Sequence, residues 1–207
     1  MIFNSYLMAN KSKKLLLIFI KNPEPGKVKT RLAKTVGNIK AHQIYLDLLS
    51  HTISVAKKVD SVRQVWYSSF IDRDDEIAGS AFQKFVQKGS DLGERMKYAF
   101  AQGFKDGYEK VVIIGSDCPV ITARIIEDAY LKLNECDVVL GPSEDGGYYL
   151  LGMRQLIPGL FSNIDWSSEQ VLQQTMVAIQ QKKLTWHQLP VLNDIDTEED
   201  LIKSRFG

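Results

Sequence analysis

Apolar residues along this chain fall into two rhythms. Leu15 to Ile20 is a short continuous apolar run closed by Asn22, Pro23, Pro25 and Gly26, which reads as a strand buried on both faces and then a loop. Ile44, Leu48, Val55 and Val59 recur at helical spacing through a stretch without Gly or Pro, so an amphipathic helix follows. Val62 to Ser68 returns to β-rich composition. Leu92, Met96, Ala99, Phe100, Gly103 and Phe104 trace a second helical stripe, with Asp91 as its N-cap and Glu94 three residues on. Val111 to Gly115 and Val138 to Gly141 repeat the buried-strand pattern, and the helix predicted between them, Ile125 to Leu133, has Thr122 as its N-cap. Tyr148 to Gly152 reads as a further strand, and Ser167 to Lys183 as a helix capped by Ser167 with Gln170 at the third position. Leu184 to Leu189 and a final helix from Thr197 complete the pattern.

This alternation predicts an α/β fold, a three-layer α/β/α sandwich around a mostly parallel sheet. With no repeat, low-complexity tract or linker, residues 14–207 read as a single domain and residues 1–13 as a frayed N-terminal extension.

Composition narrows the partners. The 26 Lys plus Arg nearly cancel the 25 Asp plus Glu, so there is no global field for binding bulk nucleic acid, and any phosphate recognition must be local. Cys118 and Cys136 form no CxxC pair, which argues against a disulfide framework or zinc site and suits a reducing cytoplasm. The apolar stretch Met1 to Ala9 precedes the basic run Lys11 to Lys14, the reverse of a secretory signal. No run approaches the roughly 18 to 20 apolar residues of a membrane span. The expectation is a cytoplasmic protein without a membrane span, for which a homodimer is allowed.

Four polar segments interrupt the apolar pattern. Lys21 to Arg31 places four basic side chains on a turn shaped by Pro23, Pro25 and Gly26, between a buried strand and a helix. Ligands of open α/β sheets collect there, and Lys29 and Arg31 can give charge-assisted hydrogen bonds to a diphosphate. The frame is not a Walker A loop, because Val28 follows Gly26-Lys27. In Gly115 to Pro119 a carboxylate, Asp117, emerges from an apolar strand and must be paired, capping or metal-bound. Since Thr122 can cap the next helix, Asp117 is the leading ligand for Mg²⁺, a hard cation that takes few carboxylates. In Gly141 to Tyr149, Glu144 and Asp145 could hold an acceptor hydroxyl or act as base, with Gly146 and Gly147 permitting close approach; a plain hairpin turn reads equally well. Asp194 to Asp200 is an acidic run in which Asp196 could cap the last helix, with Glu199 as box partner.

The ordered set FIKNPEPGKVKTRLA, GSDLGERM, IIGSDCP, LGPSEDGGYYLLG and DIDTEEDL, running from about Leu15 to the C-terminus, closely resembles a bacterial family of glycosyltransferase-like proteins, DUF2064. That family looks related to phospholactate guanylyltransferase and the molybdenum-cofactor nucleotidyltransferases. The resemblance implies the Rossmann-like GT-A fold of nucleotide-diphospho-sugar transferases, with the loop containing Lys21, Gly26, Lys29 and Arg31 on the nucleotide. It implies that Asp117 and Asp196 share Mg²⁺ or Mn²⁺, and that Gly89 to Arg95, with Asp91, Gly93 and Arg95, line the nucleotide or donor pocket. The Asp145 loop, with Glu144, Gly146, Gly147 and Tyr148, would face the acceptor.

One departure bears on the substrate. Many sugar-transferring GT-A enzymes carry Asp-x-Asp at the metal, whereas this chain has Ser116-Asp117-Cys118. The leading expectation is metal-dependent transfer from an NDP-sugar donor to a small acceptor. The alternative is a nucleotidyltransferase that uses an NTP and a phosphorylated or cofactor substrate and releases pyrophosphate; a second is a non-catalytic nucleotide-binding protein.

Overall fold

A computed structural model describes residues 13–204, so the expected N-terminal extension falls outside the described residues except at Lys13. In chain order the elements are β1 (Lys14–Ile20), α1 (Thr30–Val36), α2 (Asn38–Lys57), β2 (Val62–Tyr67), β3 (Gln83–Val86), α3 (Leu92–Lys105), β4 (Lys110–Ile114), α4 (Ala123–Lys132), β5 (Val138–Pro142), β6 (Tyr148–Met153), α5 (Val171–Gln181), β7 (Trp186–Gln188) and α6 (Glu198–Ser204). A short 3-10 turn, Pro158–Leu160, precedes α5.

All seven strands join one sheet in the order β3-β2-β1-β4-β6-β5-β7. Every neighbouring pair is parallel except those made by β6, which runs antiparallel to both β4 and β5. The sheet is therefore mostly parallel, as the alternating pattern requires. β1 and β4 are neighbours, while β6 separates β4 from β5.

The central strands are apolar throughout because both faces are covered. Leu16, Ile18 and Ile20 of β1 pack with Tyr45, Leu49 and Ile53 of α2 and with Ile126, Ala129 and Tyr130 of α4. Leu15, Leu17 and Phe19 pack on the other face with Met96, Ala99 and Phe100 of α3 and Ile179 of α5. Each Leu, Ile, Phe or Met among these contributes about 1.5–3 kcal/mol on burial. Two helices on each face make the expected three layers.

Several local details differ from the sequence reading. β3, with sequence QKFV, escaped detection because a polar, partly exposed edge strand lacks an apolar run. The helix expected from Ser167 begins only at Val171: Ser167 sits at φ 69, and its neighbour Ser168 closes a local turn by donating to the Asp165 carbonyl. The last helix is boxed one residue later than expected. The Asp200 carboxylate accepts from the Thr197 N–H at 2.8 Å, and the Thr197 hydroxyl accepts from the Asp200 N–H at 3.3 Å, so Asp196 has no capping duty. Asp91 does cap α3, accepting from Glu94 N–H at 2.8 Å, and Thr122 caps α4 through Ile125 N–H at 3.3 Å.

Candidate active site at the carboxyl edge of the sheet

β1 delivers the basic loop to the carboxyl edge, and buried polar groups fix it there. The Tyr45 hydroxyl donates to the Lys21 carbonyl at 2.7 Å and accepts from the Lys21 N–H at 3.0 Å, while the Lys21 side chain remains in solvent. Asn22, buried, donates to the Phe70 carbonyl at 2.8 Å and accepts from the Ser69 N–H at 3.0 Å, tying the exits of β1 and β2 together. Gln87 adds β3 by donating to the carbonyls of Ile20 at 3.1 Å and Trp66 at 2.9 Å. Neither amide was singled out in the sequence, since nothing in their spacing reveals a partner more than 40 positions away. Gly26 forms the exposed tip of the loop at φ 77.

The loop ends on Lys29, which holds the left-handed conformation (φ 48, ψ 41) at the start of α1. That backbone turns its side chain inward. Its ammonium, only 3% exposed as a side chain, meets Asp117 Oδ1 at 2.5 Å and Asp196 Oδ1 at 3.2 Å. Arg31, two residues further and largely in solvent, donates to the other Asp196 oxygen at 2.7 Å. Two carboxylates 79 positions apart thus converge on one nitrogen, so their oxygens lie no farther apart than those two distances combined. Burial opposes the charge on Lys29, but the two carboxylates outweigh it and hold its pKa above the ordinary lysine value.

Two features of the chain bring Asp196 to Asp117. β7 runs parallel to β5, and the strand-like path continues through the Ser143–Leu192 bridge. Ile195 then donates its N–H to the Asp117 carbonyl at 3.1 Å and buries its side chain among Leu32, Ala41, Ile44 and Leu48. The aspartates on either side of Ile195 belong to the same polar cluster. Asp194, not singled out in the sequence, has an Oδ1 sealed from solvent with no hydrogen-bond partner. Burial first, then the nearby charge of Asp117, push its pKa up to about 7 against the opposing pull of Lys29, with Asp145 and Asp196 adding to the rise. The Asp-Ile-Asp alternation around one core residue was the signal for it.

The other expected site residues are distributed around this cluster. Asp145 accepts from the Ser143 hydroxyl and the Gly147 N–H, closing the β5–β6 hairpin, and its charge reaches Asp194. Gly146, at φ 84, could not carry a side chain, since a Cβ would stand 2.1 Å from the Glu169 carbonyl oxygen. Glu144 is exposed. Tyr148, expected at the acceptor, instead directs its hydroxyl into the core beside Thr175. Gly93 packs beneath Trp166, whose Nε1 would lie 2.1 Å from an added Cβ, so its smallness serves packing. Arg95 closes the loop before α3 by donating to the Gly89 carbonyl at 3.2 Å. Cys118 is buried, its thiol pushed up to about 12 by burial and neighbouring aspartates, as a small core residue would be. Lys29 is the larger departure. Expected on a diphosphate, it sits among the carboxylates expected on the metal. Among the described residues, no three carboxylate, thiol or imidazole groups are already gathered at metal-ligand spacing.

An α/β sheet of this order, with its charged cluster beyond the carboxyl ends of β1 and β4, is the fold of the nucleotide-diphospho-sugar transferases. A crystal structure from Desulfovibrio desulfuricans G20, provisionally named a nucleotide-diphospho-sugar transferase, matches with a TM-score of 0.85 and 37% identity over 92% of this chain and 85% of that one. Residues 51–168 match the family described as "Uncharacterized protein conserved in bacteria (DUF2064)", and the chain belongs to that family. Among curated relatives, phosphoenolpyruvate guanylyltransferase of Chloroflexus aggregans is 26% identical over 184 residues, 84% of this chain and 88% of its own. The 2-phospho-L-lactate guanylyltransferase of Methanocaldococcus vulcanius is 26% identical over 141 residues, 67% of this chain but only 61% of its own length. Rv0371c of Mycobacterium tuberculosis H37Rv, in a complex with manganese, shares the fold alone (TM-score 0.56, 11% identity, 92% of this chain and 96% of that one). The Desulfovibrio, Chloroflexus and Methanocaldococcus relatives are named as transferases, and the curated names favour nucleotidyl transfer over the sugar transfer that the sequence put first. Among the described residues no helix is long and apolar enough to cross a membrane.

Proposed function

We propose that the protein transfers a nucleotidyl group from an NTP to a small phosphorylated acid, releasing pyrophosphate. The observation that carries this reading is the convergence of Lys29, Arg31, Asp117 and Asp196 at one point on the carboxyl edge. In the reaction an acceptor phosphate oxygen attacks the α-phosphorus, a new P–O bond forms, and the bond to the β-phosphate breaks with its electron pair on pyrophosphate. Negative charge grows on the leaving group, and the catalytic requirement is to hold and neutralise it. Arg31, exposed beside the cluster, is placed to donate to phosphate oxygens, and the exposed Lys21 adds charge at the same loop. The single carboxylate of Ser116-Asp117-Cys118 accords with nucleotidyl rather than sugar transfer, as do the two guanylyltransferase relatives.

The donor set fits a divalent cation. Among the described residues the cations paired with Asp117 and Asp196 are Lys29 and Arg31, Asp145 and Asp194 lie near them, and Asp194 keeps one buried oxygen without a partner. Asp117 and Asp196 would hold Mg²⁺ or Mn²⁺, which when bound supplies charge neutralisation for the triphosphate. Asp145 and Glu144, across the edge on the hairpin, would orient the acceptor.

The test is product identity. Purified protein with Mg²⁺, each NTP in turn and either 2-phospho-L-lactate or phosphoenolpyruvate should release pyrophosphate with at least one pair. The second reading, favoured by the name of the Desulfovibrio relative, is sugar transfer. Release of NDP from an NDP-sugar, with no pyrophosphate from any NTP, would replace the first reading by the second.

A further inference from the structure

Gln87 leaves β3 at the carboxyl edge and reaches sideways. Its backbone N–H donates to the Tyr67 carbonyl at 2.9 Å and continues the β2–β3 ladder. Its half-buried side chain crosses β2 and commits the amide nitrogen twice, to the Ile20 carbonyl at 3.1 Å and to the Trp66 carbonyl at 2.9 Å. Both partners are acceptors, so the amide has one orientation: nitrogen towards the strands and oxygen away from them. Among the described residues nothing donates to that Oε1, and it is not sealed from solvent. A locked acceptor therefore sits over the exits of β1 and β2. In the strand order this is one spacing, roughly 4.8 Å, from the β1–β4 pair beyond which Asp117 meets Lys29. Phosphate oxygens are themselves acceptors and gain nothing there. A ligand group that carries N–H does.

The same exits present an apolar face. Asn22, only 3% exposed, donates to the Phe70 carbonyl at 2.8 Å and accepts from the Phe70 N–H at 3.4 Å. Both backbone groups of Phe70 are thus clamped although the residue is 49% exposed. A buried amide spent on an exposed aromatic residue makes a platform that is ordered before anything rests on it.

Resting on the proposed nucleotidyl reading, we infer that the base of the NTP lies over the exits of β1 and β2, stacked on Phe70, and donates an N–H of its base-pairing edge to Gln87 Oε1. The two residues divide the work. An aromatic ring stacks on any base, whereas an acceptor fixed by two strands is satisfied only by a base that carries hydrogen at the matching position. Gln87 is thereby the residue that sets base preference, and it does so apart from the Lys29, Arg31, Asp117 and Asp196 cluster.

The measurement is calorimetric titration of the full chain with GTP, ATP, CTP and UTP, and with inorganic triphosphate, which has the charge but no base. The tightest NTP should bind wild type about thirtyfold better than triphosphate does. Phe70→Ala and Gln87→Met should each cut that advantage by about tenfold, Gln87→Met should also level the four bases, and triphosphate should bind all three proteins alike. Because Gln87 also ties β1 to β2, altering the ligand separates its reading of the base from its part in the fold. Methylation of the preferred base at its N–H (N1-methyl-GTP, N6,N6-dimethyl-ATP, N4,N4-dimethyl-CTP or N3-methyl-UTP) should weaken binding to wild type by about tenfold and leave Gln87→Met unaffected. Methionine is close to glutamine in shape, so a purely steric effect of the methyl group would appear in both proteins. Equal penalties in the two, or no penalty in wild type, would overturn the role of Gln87; an unchanged advantage in Phe70→Ala would overturn the stacking. Should Gln87→Met fail to fold, the methylated nucleotide with wild type decides. Failure of the nucleotidyl reading looks different: wild type then binds neither triphosphate nor any NTP, and the inference falls with it.

Discussion

Among the described residues two lysines, Lys84 and Lys29, turn inward onto aspartates, and the difference between them separates a staple from a site. Lys84, on β3, meets Asp75 Oδ1 at 2.5 Å and donates to the Asp72 carbonyl at 3.2 Å. Asp75 is itself fully used, accepting from the Ile77 N–H at 3.0 Å and from the Tyr67 hydroxyl. One cation faces one anion, every oxygen has a partner, and the pair pins the long connection between β2 and β3. At Lys29 the anions outnumber the cations and an oxygen is left over. A balanced buried pair holds structure together; an unbalanced one stores a preference for something not yet bound.

The largest effect that could break this comparison is at Asp117. Asp117→Asn should lower kcat/KM by about a thousandfold, roughly 4 kcal/mol of transition-state stabilisation, while the urea midpoint hardly moves. A stable, active Asp117→Asn protein would put both clusters in the same class. Asp75→Asn should do the reverse, costing about 3 kcal/mol in urea denaturation because it leaves Lys84 half-buried and unpaired, with the turnover of the folded fraction unaltered. Arg31→Ala should weaken nucleotide binding by about 2 kcal/mol in calorimetry without affecting folding, since the side chain is largely in solvent.

The smallest effect belongs to a carboxylate at the opposite, amino-terminal edge. Asp137 is bonded by Thr185 and by Arg154, and these bonds, led by the Thr185 hydroxyl, hold its pKa below the ordinary 3.8 despite partial burial. Its folded-state pKa is depressed, so its contribution is present above pH 3.8 and fades as pH falls through the lowered value. Asp137→Asn should therefore cost no more than about 1 kcal/mol at neutral pH and converge with wild type in acid, as followed by denaturation against pH.

The parts of the fold that were legible from sequence are those where one physical cause dominates. β1, β4 and β5 bury both faces, so their apolar runs are unbroken; the Asp91 and Thr122 caps use short-range hydrogen bonds that sequence spacing reports directly. β3 was invisible because its place is decided by pairing with β2, not by its own hydrophobicity. Ser167 looked like a cap and is not, because a left-handed backbone directs the chain elsewhere. At the site, the family resemblance put Asp117 and Asp196 together, but not the identity of what lies between them. Lysines are ordinarily solvated, and nothing local to Lys-Thr-Arg tells that Lys29 is buried while Arg31 is exposed. Asp194 was hidden for a related reason: its burial is set by Ile195, whose anchor points lie on α1 and α2.

The hydrogen bond from Ile195 to Asp117 has a consequence in time. Lys29 and Asp196 are 167 positions apart, and the strand-forming residues end at Gln188. During synthesis, the whole sheet can emerge from the ribosome and pair before Asp194 and Asp196 appear. A polypeptide truncated before Asp194 would carry the basic loop and Asp117 yet have no counterpart to pull Lys29 inward, and its ammonium would face Asp117 alone. Binding competence thus arrives only after the sheet has formed, so that ligand-dependent protection from proteases would single out chains that had been read through residue 196.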